Sequence, residues 1–168
     1  MGSEASCVKE LDSYLNDHLA GSVSALELIG HWAHVHKGEP LGAFFAECEA
    51  KIKADQDKLR DVMRFLGVEE SKVRQAGAWV VEKVGRARLM IAGDGPDSLG
   101  FVLTLEGLIM GIGGKKLLWR ALAAAKLPQL NGYDFEELQR RAQEQIERIE
   151  AERMRAVHKV FTATDRSQ

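Results

Sequence analysis

The chain has 168 residues, of which 45% are hydrophobic and 29% are charged, so it is long enough for one domain with a substantial core and too apolar for a disordered protein. Its 23 lysines and arginines against 25 acids give a formal net charge of -2. That balance supplies no field to attract nucleic acid or an anionic membrane, so we expect neither as a partner.

The cysteines and the longest apolar stretch indicate in which cellular compartment the protein resides. Cys7 and Cys48 fall on separate predicted helices and have no metal-type spacing, which suits a reducing compartment. The longest apolar stretch, residues 101–114, is shorter than the roughly 20 residues that a membrane-spanning helix needs. We therefore predict a single domain over residues 1–168 in the cytoplasm, without membrane attachment.

Apolar residues recur at spacings of three and four along the chain, which predicts an all-helical protein. Pro40, Pro96 and Pro128 lie in Gly- or Asn-bearing stretches between the periodic segments and mark helix boundaries. In chain order, the pattern predicts helices over about residues 5–36, 41–66, 71–92, 98–126 and 135–163.

Each of these predicted helices carries a seam of residues expected to face the core. The seam of the first helix is Leu11, Leu15, His18, Ser22, Ala25, Ile29 and Trp32. That of the second is Leu41, Phe45, Cys48, Ile52, Asp55, Leu59, Val62 and Leu66. The helix over 98–126 has the seam Leu99, Val102, Glu106, Met110, Gly113 and Leu117. The ionisable members of these seams are the candidates for a functional site.

The lengths of the connections predict the topology. Short links join the first helix to the second and the fourth to the fifth, so we expect each pair to be antiparallel. The 71–92 helix would be about 30 Å long and can carry the chain from one end of a bundle back to the other. Two antiparallel hairpins joined by one long crossover are the ferritin-like arrangement of a four-helix bundle.

The helix lengths, the crossover and three stretches resemble a bacterial branch of the ferritin-like superfamily over nearly the whole chain. The stretches are "YLNDHLAGSVSALELI", "AWVVEKVGRARLMI" and "LEGLIMGIGGKKLLWRAL". The resemblance implies a ferritin-like four-helix bundle with a fifth, shorter helix in the crossover. A di-iron centre in such a bundle takes one carboxylate from each of two helices and a Glu-x-x-His motif from each of the other two. This sequence contains no Glu-x-x-His motif.

The residues that could replace those metal ligands are His18, Asp55, Glu106 and Glu152. A turn centred near residue 38 places His18 within about 6 Å of Asp55 along the helix axis. A second turn, near residue 130, sets Glu106 opposite position 154, so Glu152 and Arg153 face it. One interpretation is a degenerate site for iron or another divalent metal. The other, which we favour, is two buried polar contacts, His18 with Asp55 and Glu106 with Arg153, because an unpartnered buried carboxylate would destabilise the fold.

A separate metal candidate lies near the end of the first helix. Glu27, His31 and His34 are spaced i, i+4 and i+7, which places them on one helix face where they could chelate zinc or nickel. No ligand from another helix can be named to complete that site. Histidines near a helix C-terminus also interact well with the helix dipole, so a surface role explains them equally.

The glycines of the "GIGGKK" stretch do not form a phosphate loop, because that motif would need glycine in place of Ile109 and a hydroxyl in place of Lys116. Gly107, Gly111 and Gly114 instead fall on one side of their helix. Small residues there would let another backbone approach, either the crossover helix or the same surface of a second subunit. A helix kink is the alternative. This glycine face predicts a homodimer.

The sequence therefore predicts a non-catalytic ferritin-like bundle that has lost its di-iron ligands, holds no cofactor and serves as a binding or scaffolding protein. No serine, cysteine or histidine triad can be assembled from the spacing. The alternative is a metal-dependent oxidoreductase or iron-handling stress protein with a degenerate mid-bundle site around Glu106. A small-molecule ligand between the helices near Glu106 is compatible with either.

Overall fold

A computed structural model describes residues 2–70 and 95–162 of the chain. Its helices, in chain order, are α1 (Gly2–Val35), α2 (Pro40–Phe65), α3 (Leu99–Ala125), a short 3-10 helix (Pro128–Leu130) and α4 (Phe135–Thr162). These two ranges contain no strand, which confirms the all-helical prediction for them. The helix predicted over 71–92 lies outside the described residues. None of the described helices combines the length and apolar character needed to cross a membrane.

The ends of α2 follow from local backbone chemistry. Pro40 is the first residue of this helix, where its missing N–H removes no helical hydrogen bond. At the other end the N–H of Leu66 reaches back to the carbonyls of Val62 and Met63. Gly67 then adopts a φ of +69°, a left-handed conformation that glycine reaches without steric cost and that stops the helix.

The described residues form two compact units, of which the first consists of residues 2–70 and 122–134. In this unit α1 and α2 are antiparallel, because Trp32 stacks on Phe45 near the turn and Ser22 meets Gln56 further along. The ring centroids of Trp32 and Phe45 are 5.6 Å apart, and Gln56 Nε2 donates to Ser22 Oγ at 2.9 Å. The apolar core of the hairpin includes Leu15, Leu19, Ile29, Phe45, Ile52, Leu59 and Val62.

The second unit consists of residues 95–121 and 135–162. Two lysines of α3 bind amides of α4: Lys115 Nζ donates to Gln145 Oε1 at 2.7 Å, and Lys116 Nζ donates to Gln143 Oε1 at 2.9 Å. Arg153, further along α4, contacts an earlier part of α3. Because later residues of α4 meet earlier residues of α3, these two helices are also antiparallel. Their buried side chains include Phe101, Leu105, Leu108, Ile112, Trp119, Leu138, Ala142 and Ile149.

The core seam predicted for α3 is wrong. Of its six residues, Val102 is buried, whereas Met110 is 72% exposed and Leu117 is 61% exposed. The buried face runs instead through Phe101, Leu105, Leu108, Ile112 and Trp119, nearly opposite the predicted seam. The reason is that α3 carries apolar residues on every side, so a period of three and four can be drawn along several faces. Glu106 consequently lies on the outer side of the helix.

Candidate functional site

Glu106 meets Arg153 of α4. Arg153 Nη1 donates to Glu106 Oε1 at 3.1 Å, so the structure brings together the two residues proposed as a structural charge pair. The pair is only partly buried, because 41% of the Glu106 side chain and 21% of the Arg153 side chain are exposed. Glu106 lies away from the buried face of α3, which explains why it keeps contact with water.

Arg153 also binds Glu150, one turn earlier on α4. Its Nε lies 2.5 Å from Glu150 Oε2, and its Nη2 lies 2.6 Å from Glu150 Oε1, which is a bidentate pair. The hydrogen bond to Glu150 raises the pKa of Arg153 and, from the other side, lowers the pKa of Glu150. We call Glu106, Glu150 and Arg153 the Arg153 cluster. Its guanidinium remains positively charged and is shared by two carboxylates.

The second carboxylate proposed as a metal ligand in this unit, Glu152, also accepts a hydrogen bond from an arginine. Arg155 Nη1 donates to Glu152 Oε2 at 2.6 Å. The Glu152 side chain is 21% exposed and that of Arg155 is 70% exposed, so this is a surface ion pair within one helix. Such pairs add little stability, but they place positive charge against the carboxylate. Both carboxylates proposed on α3 and α4 are therefore paired with arginines.

His18 and Asp55, the other two proposed ligands, lie in the first unit. The His18 ring packs edge-on against Tyr14, with centroids 4.7 Å apart. Asp55 is 1% exposed on α2. Because Ser22 meets Gln56, Asp55 lies about one turn of α1 away from His18. The ring contact of His18 is therefore with a residue one turn earlier on its own helix.

The Glu27, His31 and His34 set is exposed on the surface of α1. These residues share a helix face, as their spacing requires. Across residues 2–70 and 95–162, no group of three His, Cys, Asp or Glu side chains is close enough to hold a metal ion.

Sequence reasoning missed a buried amide between α1 and α2. Gln56 is 4% exposed; it donates to Ser22 Oγ at 2.9 Å and accepts from Arg60 Nη1. Arg60 Nε in turn donates to Glu70 Oε1 at 3.2 Å, beyond the end of α2. This chain of contacts ties α1, α2 and the following segment together. The sequence gives one indication that Gln56 would be buried: it follows Asp55, a residue of the predicted core seam.

Burial gives His18 a measurable role in stability. Burial lowers the pKa of its imidazole below 6.5, and the charge of Asp17 opposes this only in part. The unfolded chain therefore binds a proton at a pH where the folded protein does not, so the free energy of unfolding should fall as pH drops below about 6.5. We expect His18→Gln to reduce this loss when urea unfolding is compared at about pH 7.5 and about pH 5.5. An equal loss in His18→Gln and in the wild type between these two pH values would contradict the assignment.

Comparisons with known proteins do not identify the chain. No protein-family model, curated protein or solved structure matches it. The ferritin-like resemblance rests on the residue pattern and on the predicted helix order.

Proposed function

We propose that the protein is a ferritin-like helical bundle that has lost its di-iron ligands and acts in the cytoplasm, without catalysis, as a binding or scaffolding protein. The observation that carries this proposal is the guanidinium of Arg153, which contacts the carboxylate of Glu106 at 3.1 Å. The ferritin-like resemblance led us to expect Glu106 at a di-iron ligand position, but such ligands project into the bundle core, whereas the Glu106 side chain is 41% exposed.

Electrostatics supports this proposal. A divalent cation at Glu106 would be repelled by the adjacent guanidinium, and that repulsion offsets attraction to the carboxylate. Moving Arg153 aside would also break its bidentate contact with Glu150, whose two nitrogen–oxygen distances are 2.5 and 2.6 Å. Charge-assisted bidentate contacts are among the stronger hydrogen bonds in proteins. The local charges therefore favour an internal ion pair at Glu106 over a bound metal.

Metal analysis tests the proposal directly. Protein produced in iron-supplemented medium is expected to contain well under one metal ion per chain by mass spectrometry. Addition of ferrous iron under anaerobic conditions, followed by desalting, should leave that value unchanged. Two tightly held irons per chain, lost in the Glu106→Gln variant, would contradict the proposal and favour the metal-dependent oxidoreductase or iron-handling protein.

The structural role of the pair makes a separate prediction. Glu106→Gln and Arg153→Met should each lower the free energy of unfolding by about 1 kcal/mol, a modest value because the pair is partly exposed to solvent. In a double-mutant cycle the two changes should show a coupling energy of about 0.5 kcal/mol, measured by urea unfolding. Arg155→Met, which removes a more exposed arginine two residues further along α4, is the matched control and should have a smaller effect. A coupling energy of zero would show that the contact contributes nothing to stability.

A further inference from the structure

Asn131 lies in an exposed turn between the 3-10 helix and α4. The N–H of Tyr133 donates to the carbonyl of Leu130 at 3.0 Å, which closes a turn with Asn131 and Gly132 at its two central positions. The φ of -59° and ψ of -18° at Asn131 are close to those of a type I turn. Both central residues are exposed, and a Cβ atom added to Gly132 would meet no described atom within 4 Å. Water and the neighbouring backbone can therefore reach the side-chain amide of Asn131.

The amide carbon of Asn131, Cγ, is open to attack by the backbone nitrogen of the next residue. In that step a bond forms between the nitrogen of Gly132 and Cγ, and the bond from Cγ to Nδ2 breaks. The proton of the Gly132 nitrogen leaves with Nδ2 as ammonia, and a five-membered succinimide ring remains. Water opens this ring at either carbonyl and gives aspartate or isoaspartate, so the reaction consumes only water. Glycine favours the attack because it has no Cβ atom and its backbone moves freely.

The turn must open before the ring can close. At a ψ of -18° the nitrogen of Gly132 is not aligned with Cγ of Asn131. A single backbone hydrogen bond, from Tyr133 to Leu130, closes the turn, and one such bond contributes little net stability. Loops of this kind move within nanoseconds to microseconds. Opening is therefore frequent on the scale of a slow covalent reaction.

We propose that Asn131 is a site of spontaneous modification, at which the backbone nitrogen of Gly132 converts the amide into aspartate and isoaspartate. The isoaspartate product loosens the contact of Tyr133 with α2. Its main chain runs through Cβ and Cγ, which adds one atom to the ring that the Tyr133–Leu130 hydrogen bond closes. Leu130 is 3% exposed and held by the core. The displacement therefore falls on Tyr133, which meets the ring of Phe65 edge-on at 5.9 Å.

The other asparagine of the chain is an internal control, because its surroundings oppose the same reaction. Asn16 lies within α1, is 8% exposed and is followed by Asp17 instead of glycine. Its Nδ2 donates to Asp12 Oδ1 at 2.9 Å and to the carbonyl of Glu69 at 3.2 Å. The helix also fixes its backbone dihedral angles. We expect Asn131 to react while Asn16 stays intact.

Incubation of the folded, full-length protein at mildly alkaline pH tests the site. Each conversion lowers the formal net charge of -2 by one, so the product separates by anion exchange, and peptide mass spectrometry locates it. We expect conversion at Asn131 alone, with isoaspartate detected by an isoaspartate-specific methyltransferase. Gly132→Ala should slow the conversion at least about fivefold, because alanine restricts the backbone and its Cβ atom hinders attack. This variant should fold normally, since the φ of Gly132 lies outside the left-handed region.

The stability of the two products tests the loosening of Tyr133. Asn131→Asp carries the charge of the aspartate product on a normal main chain and should unfold at the same urea concentration as the wild type. The purified isoaspartate form should unfold at a lower urea concentration. Equal conversion of both asparagines, conversion that Gly132→Ala does not slow, or an intact Asn131 after prolonged incubation would each overturn the proposed site. An isoaspartate form as stable as Asn131→Asp would overturn the loosening of Tyr133.

Discussion

Replacing Gly42 with alanine is expected to destabilise the protein by about 3 kcal/mol. Gly42 lies in the first turn of α2, directly against the end of the preceding turn. A Cβ atom at this position would lie 2.1 Å from the carbonyl oxygen of His36 and 2.7 Å from its carbonyl carbon. Neither atom belongs to a flexible side chain, so the backbone must move. That same carbonyl accepts a hydrogen bond from the N–H of Glu39 at 3.0 Å, which the movement would disturb.

The matched control for this change is Gly21→Ala on α1. A Cβ atom there would meet no described atom within 4 Å. Since alanine favours a helix over glycine by about 1 kcal/mol, this variant should be slightly more stable than the wild type. Thermal and urea unfolding of both variants measure the difference. If Gly42→Ala unfolds at the same urea concentration as the wild type, the close contact with His36 does not restrict this turn.

Counting residues from a tight turn predicts the height of a side chain in a helical hairpin, and this part of the sequence analysis agrees with the geometry. The count places Glu106 level with Arg153, and the two side chains meet. It also places His18 within about one turn of Asp55, yet His18 packs on Tyr14. The position of a residue along the helix axis depends only on its distance in sequence from the short turn. Contact depends as well on which way a side chain points around its helix, and counting cannot supply that direction.

The direction around a helix is predictable only where polar and apolar residues are well separated. In α2 the predicted seam positions Phe45, Cys48, Ile52, Asp55, Leu59 and Val62 are all buried, because charged residues occupy the opposite face. In α3 a single charge interrupts residues 99–114, so apolar residues occur on both the buried and the exposed face. The spacing of apolar residues therefore led the prediction to place the core seam of α3 on its exposed face. Glu106 was assigned to the core for that reason.

The close approach predicted at Gly107, Gly111 and Gly114 involves the crossover helix or a second subunit, which lie outside the described residues, so it stays a prediction. A different close approach, which the sequence did not predict, occurs at Gly42, where an added Cβ atom would lie 2.1 Å from the carbonyl oxygen of His36. No helical period singled out the glycine and proline of that turn. A contact between backbones depends on the path of the chain between helices. That path is set by tertiary packing and cannot be derived from spacing along one helix.

Replacing Phe45 with alanine is expected to destabilise the protein by about 4 kcal/mol, because it removes a fully buried ring from the α1–α2 hairpin. Phe45 is 0% exposed; it stacks on Trp32 at a centroid distance of 5.6 Å and meets Phe44 edge-on at 5.3 Å. The cavity would remain between two helices whose register the Trp32–Phe45 stack helps to set. Phe65→Ala makes the same chemical change at a site that is 62% exposed and should cost about 1 kcal/mol, chiefly through its edge contact with Tyr133 at 5.9 Å.

A loss of about 4 kcal/mol is a large part of the stability of a typical domain, so Phe45→Ala could unfold at room temperature. Phe45→Leu keeps most of the buried apolar surface and should lose only about 1–2 kcal/mol, which keeps the comparison measurable. We expect the unfolding free energies, measured by urea titration with circular dichroism, to rank Phe45→Ala below Phe45→Leu and both below the wild type. If Phe65→Ala proves as destabilising as Phe45→Ala, the Trp32–Phe45 stack is not the centre of this hairpin's core, since burial is what separates the two sites.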